Sequence, residues 1–251
     1  MRKKHNLLTF IVQLFAVAMF VGVIYIFVGK NQVSKQSSHS KSVSTSVRTS
    51  TSSTVSIGLP KVSSKDWDLV LVNRNHITAE LNPNVTEIDG IPVDSRIADN
   101  VTKFLAAAQS IDASEHLISG YRSVAYQGGL YNSYISKEMA ANPSLSQAEA
   151  ESLVQTYSQP AGASEHQTGL AIDMSTVDSL NESDKTVAAK VQAIAPDYGF
   201  VLRFPEDGVG STGVEYEDWH YRYVGVESAK YMTANHITLE KYLTLLKEKN
   251  R

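Results

Sequence analysis

Ser164-Glu-His-Gln-Thr-Gly-Leu-Ala-Ile-Asp173 is the stretch of this chain that decides its fold, and Glu217-Asp-Trp-His220 complements it. Together the two stretches supply two imidazoles and a carboxylate as metal ligands, with a second carboxylate three residues before the last imidazole. A catalytic zinc ion with one open coordination position requires such a set. Ordinary surface carboxylates and partly buried histidines would explain each residue singly but not the combination. The pattern therefore indicates a metallohydrolase.

Alternation along two short segments explains how the ligands could meet. If Gly169 to Met174 forms a strand, Gly169, Ala171 and Asp173 share one face, and the aliphatic side chains between them pack on a core. In the segment that starts at His220, the imidazole and Arg222 fall on one side and two tyrosines on the other. Two such strands can bring their ligands to one ion, and zinc can lower the pKa of water toward ~7.

Three segments of the chain carry a resemblance to a known family. These segments are Ser119-Gly-Tyr-Arg-Ser123, Ser164-x-His-x-x-Gly-x-Ala-x-Asp173 and Glu217-x-Trp-His-Tyr-Arg-Tyr-Val-Gly225. In order and spacing they resemble the signatures of the VanY-like zinc carboxypeptidases, over roughly residues 65 to 250. That family trims D-alanine from the stem peptides of bacterial peptidoglycan and includes D,D- and L,D-carboxypeptidases.

The resemblance implies a role for each matching residue. Glu217 would be the general base, with Glu215 as a competing candidate that lacks the family spacing to the histidine. An arginine at a strand-to-helix corner is by itself more often a solvated surface residue, but the resemblance makes Arg122 the cation that anchors substrate and stabilises the transition state. The implied zinc ligands are His166, Asp173 and His220, and the implied pocket residues are Arg122, Ser164, Tyr121 and Gln127.

Composition limits the remaining possibilities. The formal net charge is −3 at pH 7, so the chain has no global basic field and we expect no nucleic-acid partner. Cysteine is absent, which excludes disulfides and thiolate ligands. After an anchor and a linker, about 190 residues remain, enough for one catalytic domain with its own core.

The N-terminal region predicts the location of the protein. Basic residues precede Leu7 to Val28, an apolar run that as a helix would span about 33 Å and could cross a bilayer. We expect residues 1–29 to be an uncleaved anchor, with a cleavable signal peptide as the alternative. Residues 30–58 are mostly Ser and Thr and predict a flexible linker. Residues 59–251 would then form the catalytic domain, outside the cell and facing the wall.

Within that domain the pattern predicts an α+β fold, with helices around a small antiparallel sheet that carries the zinc ligands. Predicted strands are Asp68 to Asn73 (as a strand or extended segment), His116 to Ser119 and Phe200 to Phe204, besides the two ligand segments. Predicted helices are Asp94 to Ser110, Ser123 to Met139, Ser144 to Val154, Asn181 to Ala195 and Thr238 to Lys247.

Taken together, the sequence predicts a monomeric zinc carboxypeptidase that removes the C-terminal D-alanine from peptidoglycan stem peptides. The ligand segment and the tethered anchor look more like the L,D members of the family, which favours tetrapeptides. The alternatives are a D,D-carboxypeptidase on pentapeptides, a zinc endopeptidase or amidase of the wall, and a non-catalytic wall-binding module. Glu217 argues against the last, because a structural zinc site has no use for a base.

Overall fold

A computed structural model describes residues 58–179 and 181–251. The strands in these residues are β1 (Val85–Ile88), β2 (Ile91–Asp94), β3 (His116–Ser119), β4 (Ala171–Ser175), β5 (Phe200–Leu202) and β6 (His220–Tyr223). The α-helices are α1 (Ala98–Gln109), α2 (Val124–Ala141), α3 (Gln147–Val154), α4 (Lys185–Ile194), α5 (Val209–Thr212), α6 (Val226–Ala234) and α7 (Leu239–Glu248). Short 3-10 turns lie at Trp67–Leu69, Ser95–Ile97, Glu165–Thr168 and Ala195–Tyr198.

A four-stranded antiparallel sheet in the order β3-β4-β6-β5 forms the centre of the domain. Its register pairs Asp173 on β4 with His220 on β6 on one side and with Ser119 on β3 on the other. Helices surround this sheet, and β1 and β2 form a separate antiparallel hairpin. The predicted α+β class is therefore confirmed, and the register places two candidate ligands on adjacent strands.

The apolar face of the sheet supplies the main core, as the alternation predicts. Ile172 and Met174 on β4 and Tyr221 on β6 are buried there against α1. The ring of Phe104 from α1 meets Tyr221 edge to face, with centroids 5.1 Å apart. Burying side chains of this size stabilises the sheet by roughly 1.5–3 kcal/mol each. Because the core is formed on this face, the opposite face of the sheet can carry polar groups.

Capping residues set where the predicted helices begin. Asp94 accepts the backbone N–H of Arg96 and caps the turn that leads into α1. Ser123 caps α2 by accepting from Tyr126 N, and Ser146 forms a capping box with α3. These helices confirm the predictions, with α3 starting three residues later than predicted because Ser146, not Ser144, satisfies its free N–H groups.

Some elements differ from the sequence-based predictions. For Asp68 to Asn73, predicted as a strand or an extended segment, the second alternative holds after Leu69: a 3-10 turn, Trp67–Leu69, is followed by an extended segment that joins neither sheet. Leu69 and Val72 are nevertheless buried, so their apolar pattern reflects packing rather than strand pairing. The β1–β2 hairpin, α5 and α6 were not predicted.

The predicted anchor and linker lie outside the described residues. Among residues 58–179 and 181–251, no helix is long and apolar enough to cross a membrane.

Candidate metal centre

The first ligand, His166, lies in the 3-10 turn Glu165–Thr168, which begins at Ser164 and ends at Gly169 in a left-handed conformation (φ 70°). Nδ1 of His166 lies 2.7 Å from the carbonyl oxygen of Gly120. Because a carbonyl only accepts, Nδ1 must carry the proton, which leaves Nε2 bare as a metal ligand.

Asp173 is the second ligand, and its two carboxylate oxygens have different partners. Oδ2 accepts the hydroxyl of Ser119 at 2.5 Å. Oδ1 has no hydrogen-bond partner in the described residues although it is buried, and it lies 3.4 Å from His166 Nε2 and 3.1 Å from His220 Nδ1. An oxygen that is buried without a donor is expensive unless a cation satisfies it.

These three groups fit one metal ion. One ligand atom from each of His166, Asp173 and His220 lies within 4.8 Å of the others, and all three residues are buried. Two ligands about 2.1 Å from a tetrahedral zinc lie about 3.4 Å from each other, close to the separations found here. The imidazole rings of the two histidines stand perpendicular, with centroids 4.9 Å apart. The geometry therefore brings the three predicted ligands together.

The third ligand, His220, is backed by a carboxylate that the sequence analysis overlooked. Oε2 of Glu165 lies 3.6 Å from His220 Nε2, and neither atom has another partner among the described residues. Oε1 of Glu165 accepts from Arg203 Nε at 2.8 Å and from Arg222 Nη1 at 2.9 Å. Burial alone would raise the pKa of Glu165, but the two arginines outweigh it and lower that pKa. A permanent carboxylate thus faces the back of the ligand, a common way to fix its orientation.

A signal for Glu165 existed in the sequence. Arg222 shares a face with His220 in the predicted alternation, so a buried arginine there needs an anion, and Glu165 lies beside the other histidine ligand. Arg203 also binds Glu240 of α7, with Nη2 to Oε1 at 2.6 Å. The chain therefore surrounds the metal ligands with paired charges in place of apolar packing.

Glu217 lies at the site, and Glu215 does not. Oε2 of Glu217 is 3.8 Å from His220 Nδ1, and the side chain is buried. Burial raises the pKa of this carboxyl to about 8, and the nearby charge of Asp173 acts in the same direction. Glu215 is exposed and does not line the cavity around the ligands. The structure thus brings the predicted base, and not its competitor, to the metal ligands.

The protonation of the two histidines shows how the site would respond to a cation. Burial, together with the charge of Arg122, lowers the pKa of His166 to about 4, so this imidazole is neutral and ready to bind a metal. Burial also acts to lower the pKa of His220, but hydrogen bonding to Asp173 and Glu165 outweighs it and raises the pKa to about 9. Because metal ligands must be deprotonated, a metal ion bound here would compete with protons for His220.

A cavity of about 190 Å³ opens beside the ligands. Arg122 lines it from the corner between β3 and α2, where its backbone N–H donates to the carbonyl of His166 at 3.2 Å. Its Nη1 lies 3.2 Å from Ser119 Oγ and 3.7 Å from Asp173 Oδ2, whereas Nε has no partner in the described residues. A guanidinium N–H is therefore available to an anion in the cavity.

Of the other predicted pocket residues, two line the cavity and one does not. Ser164 and Gln127 line the cavity, and the amide oxygen of Gln127 has no partner among the described residues although it is buried. Tyr121 does not line it: this side chain points to a neighbouring hollow, and its hydroxyl donates to Glu80. Trp219 is buried and also contributes to the cavity wall.

Fold and site together define a class of protein: an α+β domain with a mononuclear metal centre at the edge of a substrate-sized cavity. A family model described as "VanY: D-alanyl-D-alanine carboxypeptidase" matches residues 90–226. The chain belongs to this family.

Relatives and solved structures agree with this membership. A D-alanyl-D-alanine carboxypeptidase of Enterococcus faecalis is 33% identical over 181 residues, which cover 71% of this chain and 66% of that protein. A crystal structure of the D,D-pentapeptidase VanY in complex with Zn(II) is similar with a TM-score of 0.64 and 31% identity, over 71% of this chain and 99% of the other. A crystal structure of the L,D-carboxypeptidase DacB of Streptococcus pneumoniae is similar with a TM-score of 0.56 and 28% identity, over 69% of this chain and 84% of the other.

Proposed function

We propose that this protein is a zinc-dependent carboxypeptidase that removes the C-terminal D-alanine from peptidoglycan stem peptides. The single observation that carries the proposal is the convergence of His166, Asp173 and His220 on one point, next to a buried carboxylate and an arginine with a free N–H. Family membership and the zinc in the related VanY structure support it.

The donor set favours zinc in particular. Two imidazoles and one carboxylate are typical of catalytic zinc sites that keep a position open for water or substrate. Bound there, zinc would polarise the scissile carbonyl and make water more acidic. The buried, unpartnered Oδ1 of Asp173 supplies the negative charge that such an ion needs.

In this proposal Glu217 acts as the general base. Its carboxylate is buried beside the candidate ligands, where it would accept a proton from a water that zinc makes more acidic. It would take the proton of the attacking water and then pass a proton to the amine of the departing alanine. Burial raises the pKa of Glu217 to about 8, and a cation held beside it would lower that pKa and favour the ionised form that a base requires.

Arg122 gives the proposed reaction its preference for a chain end. Its buried Nε is unpaired among the described residues, and the side chain lines a cavity whose other charged groups are either carboxylates or, like Arg203, already bound to carboxylates. The free C-terminal carboxylate of a stem peptide would supply the missing anion. A charge-assisted contact of this kind contributes about 1.5–3 kcal/mol, and it would also serve a developing oxyanion.

For the bond itself we propose L,D-cleavage of tetrapeptides, on the likeness of the ligand segment and the tethered anchor to L,D members of the family. The second candidate is D,D-cleavage of pentapeptides. It is favoured by the higher TM-score of the VanY structure, 0.64 against 0.56 for DacB.

We also propose that the domain is a monomer, held at the cell surface by a single membrane-spanning segment. The apolar run from Leu7 to Val28 behind a basic N-terminus, followed by a Ser/Thr-rich linker, supports this location.

Release of the C-terminal residue from four synthetic stem peptides tests the function: a tetrapeptide, a pentapeptide and the C-terminal amide of each, with alanine measured for the free acids and alaninamide for the amides. We expect zinc-dependent release from a free acid, and little from its amide. The variant Arg122→Ala should have a kcat/KM for the free acid that is roughly ten- to a hundredfold lower than that of the wild type. Its kcat/KM for the amide should fall much less. Equal cleavage of acid and amide by the wild type would contradict the exopeptidase claim and favour an endopeptidase or amidase. Faster release from the pentapeptide would replace L,D by D,D, and no hydrolysis at all would favour a wall-binding module.

A further inference from the structure

The carboxylate of Glu217 is held in an unusual way for a catalytic base. It forms no hydrogen bond with any other side chain in residues 58–179 and 181–251, and the one basic group within 4 Å of it in these residues is His220, whose Nδ1 lies at 3.8 Å. The direction in which this carboxylate points therefore depends on the backbone conformation at Glu217. That backbone belongs to a largely irregular stretch between β5 and β6, interrupted only by the single turn of α5.

Two contacts fix the backbone around Glu217. The first is its own N–H, which donates to the carbonyl of Phe204 at 3.2 Å. The second is the side-chain amide of Asn181, which binds on both sides of the base. Nδ2 of Asn181 donates to the carbonyl of Tyr216 at 3.1 Å, and Oδ1 accepts the N–H of Asp218 at 3.2 Å.

The chemistry of this pair of bonds is specific. The carbonyl of Tyr216 and the N–H of Asp218 belong to the two peptide groups that flank the Cα of Glu217. Holding both groups with one amide restricts φ and ψ at Glu217, and these angles set the direction of its side chain. Only a side chain with a donor and an acceptor side by side can do this, and Asn and Gln are the ones that have it.

The backbone of Asn181 suits this role. Its φ is 61°, a left-handed conformation that Asn adopts at lower cost than most residues. The loop between β4 and α4 that carries it is itself fixed, since Ser183 bonds Ser175 at the end of β4 and Asp178 pairs with His116 on β3. The loop thus connects the strand that carries Asp173 to the segment that carries the base.

We infer that Asn181 is a positioning residue for the reaction: its amide orients Glu217 by holding both neighbouring peptide groups. This inference rests on the proposed role of Glu217 as general base. It assigns no contact with substrate or metal to Asn181, so binding of both should be independent of it.

Asn181→Gly tests the inference, because Gly keeps the left-handed backbone and removes only the amide. We expect kcat to fall about tenfold, with KM and zinc content unchanged, since a small displacement of a catalytic group is enough to slow turnover. Amide hydrogen exchange at Asp218 should become faster. The matched control is Asn250→Gly, which removes an exposed asparagine at φ 57° near the C-terminus and should change none of these quantities.

A double-mutant cycle separates positioning from other roles. With Glu217→Gln there is no base to orient, so adding Asn181→Gly should lower the residual turnover by less than about twofold. The inference is overturned if Asn181→Gly keeps kcat within about threefold of the wild type, or if its zinc content or KM changes as much as its kcat. It is also overturned if the losses of turnover caused by Asn181→Gly and by Glu217→Gln simply multiply in the double mutant. If Glu217→Gln itself leaves turnover intact, the proposed function fails, and that outcome is distinct from failure of Asn181→Gly alone.

Discussion

Each candidate metal ligand is fixed by a second polar group of a different kind. His166 donates to a backbone carbonyl, Asp173 accepts a hydroxyl from Ser119, and His220 faces the carboxylate of Glu165. Such partners select the tautomer and ring orientation before the ion arrives, so little reorganisation is needed when it binds. The burial of these groups is tolerated because the charges are paired.

One buried carboxyl away from the ligands predicts a pH-dependent stability. Glu115 is 3% exposed, and its Oε2 has no partner in the described residues. Burial, aided by the charge of Asp112, raises its pKa to about 7. The folded state therefore keeps a proton that the unfolded chain loses near pH 4.3, so this group destabilises the fold progressively as pH rises from about 4 to about 7.

Glu115→Gln should remove that effect. Relative to wild type, the variant should be more stable by about 1–3 kcal/mol above pH 7 and equally stable near pH 4. Urea denaturation of both proteins across this range measures the difference. A constant difference at all pH values would show that Glu115 is not protonated in the folded state near neutrality.

At the residue level the sequence predicted the ligands and the base because their spacing carries the chemistry. Between Glu217 and Glu215, the spacing favoured Glu217, and in the structure Glu217 is buried beside the candidate ligands whereas Glu215 is exposed. Glu165 was overlooked although the alternation along β6 placed Arg222 on the face of His220, where a buried arginine needs an anion. Asn181 escaped prediction because it acts through contacts with residues distant in the chain, and no local period or spacing reports such contacts.

At the level of elements, the junction between the 3-10 turn and β4 controls the site. Gly169 closes this junction at φ 70°, and its carbonyl accepts the N–H of Asp94 at 2.9 Å. A Cβ at this position would lie 2.9 Å from that same backbone nitrogen. The turn that holds His166 and the strand that holds Asp173 can therefore meet at this angle only if the residue between them is small and left-handed.

Gly169→Ala should therefore destabilise the domain by about 2–4 kcal/mol, from left-handed strain plus the clash. Gly90→Ala is the matched control: Gly90 has φ 81°, but a Cβ there meets nothing within 4 Å. Gly90→Ala should lower the free energy of unfolding by only about 1–2 kcal/mol. The free energy of unfolding from denaturant titration distinguishes the two, and equal losses would argue against the clash.

Elements with a strong local period were predictable, and those defined by their neighbours were not. Alternation along β4 and β6 assigned their buried and polar faces correctly. The segment from Asp68 to Asn73 has a similar apolar pattern but finds no partner strand, so it packs as an extended chain. The β1–β2 hairpin was missed because β1 has no buried residue and β2 contains Pro92, so neither strand shows the apolar alternation of β4 and β6.

For the whole molecule, the proposed anchor makes a prediction about location. The full-length protein should remain in the membrane fraction, and protease added outside intact cells should release the domain after Gly58. Immunoblotting of fractions before and after protease treatment measures both. A shortened form in the medium as the main species would mean that the N-terminal segment is cleaved.

We propose that three ligands hold zinc and that Glu217 performs the chemistry beside it. Zinc content and alanine release, measured on the same preparations of wild type, Glu217→Gln and His166→Ala, test both parts of this proposal. We predict about one zinc per chain and full turnover for the wild type, the same zinc with turnover abolished for Glu217→Gln, and loss of both for His166→Ala. Turnover above about a tenth of wild type in Glu217→Gln, or full zinc in His166→Ala, would contradict the account.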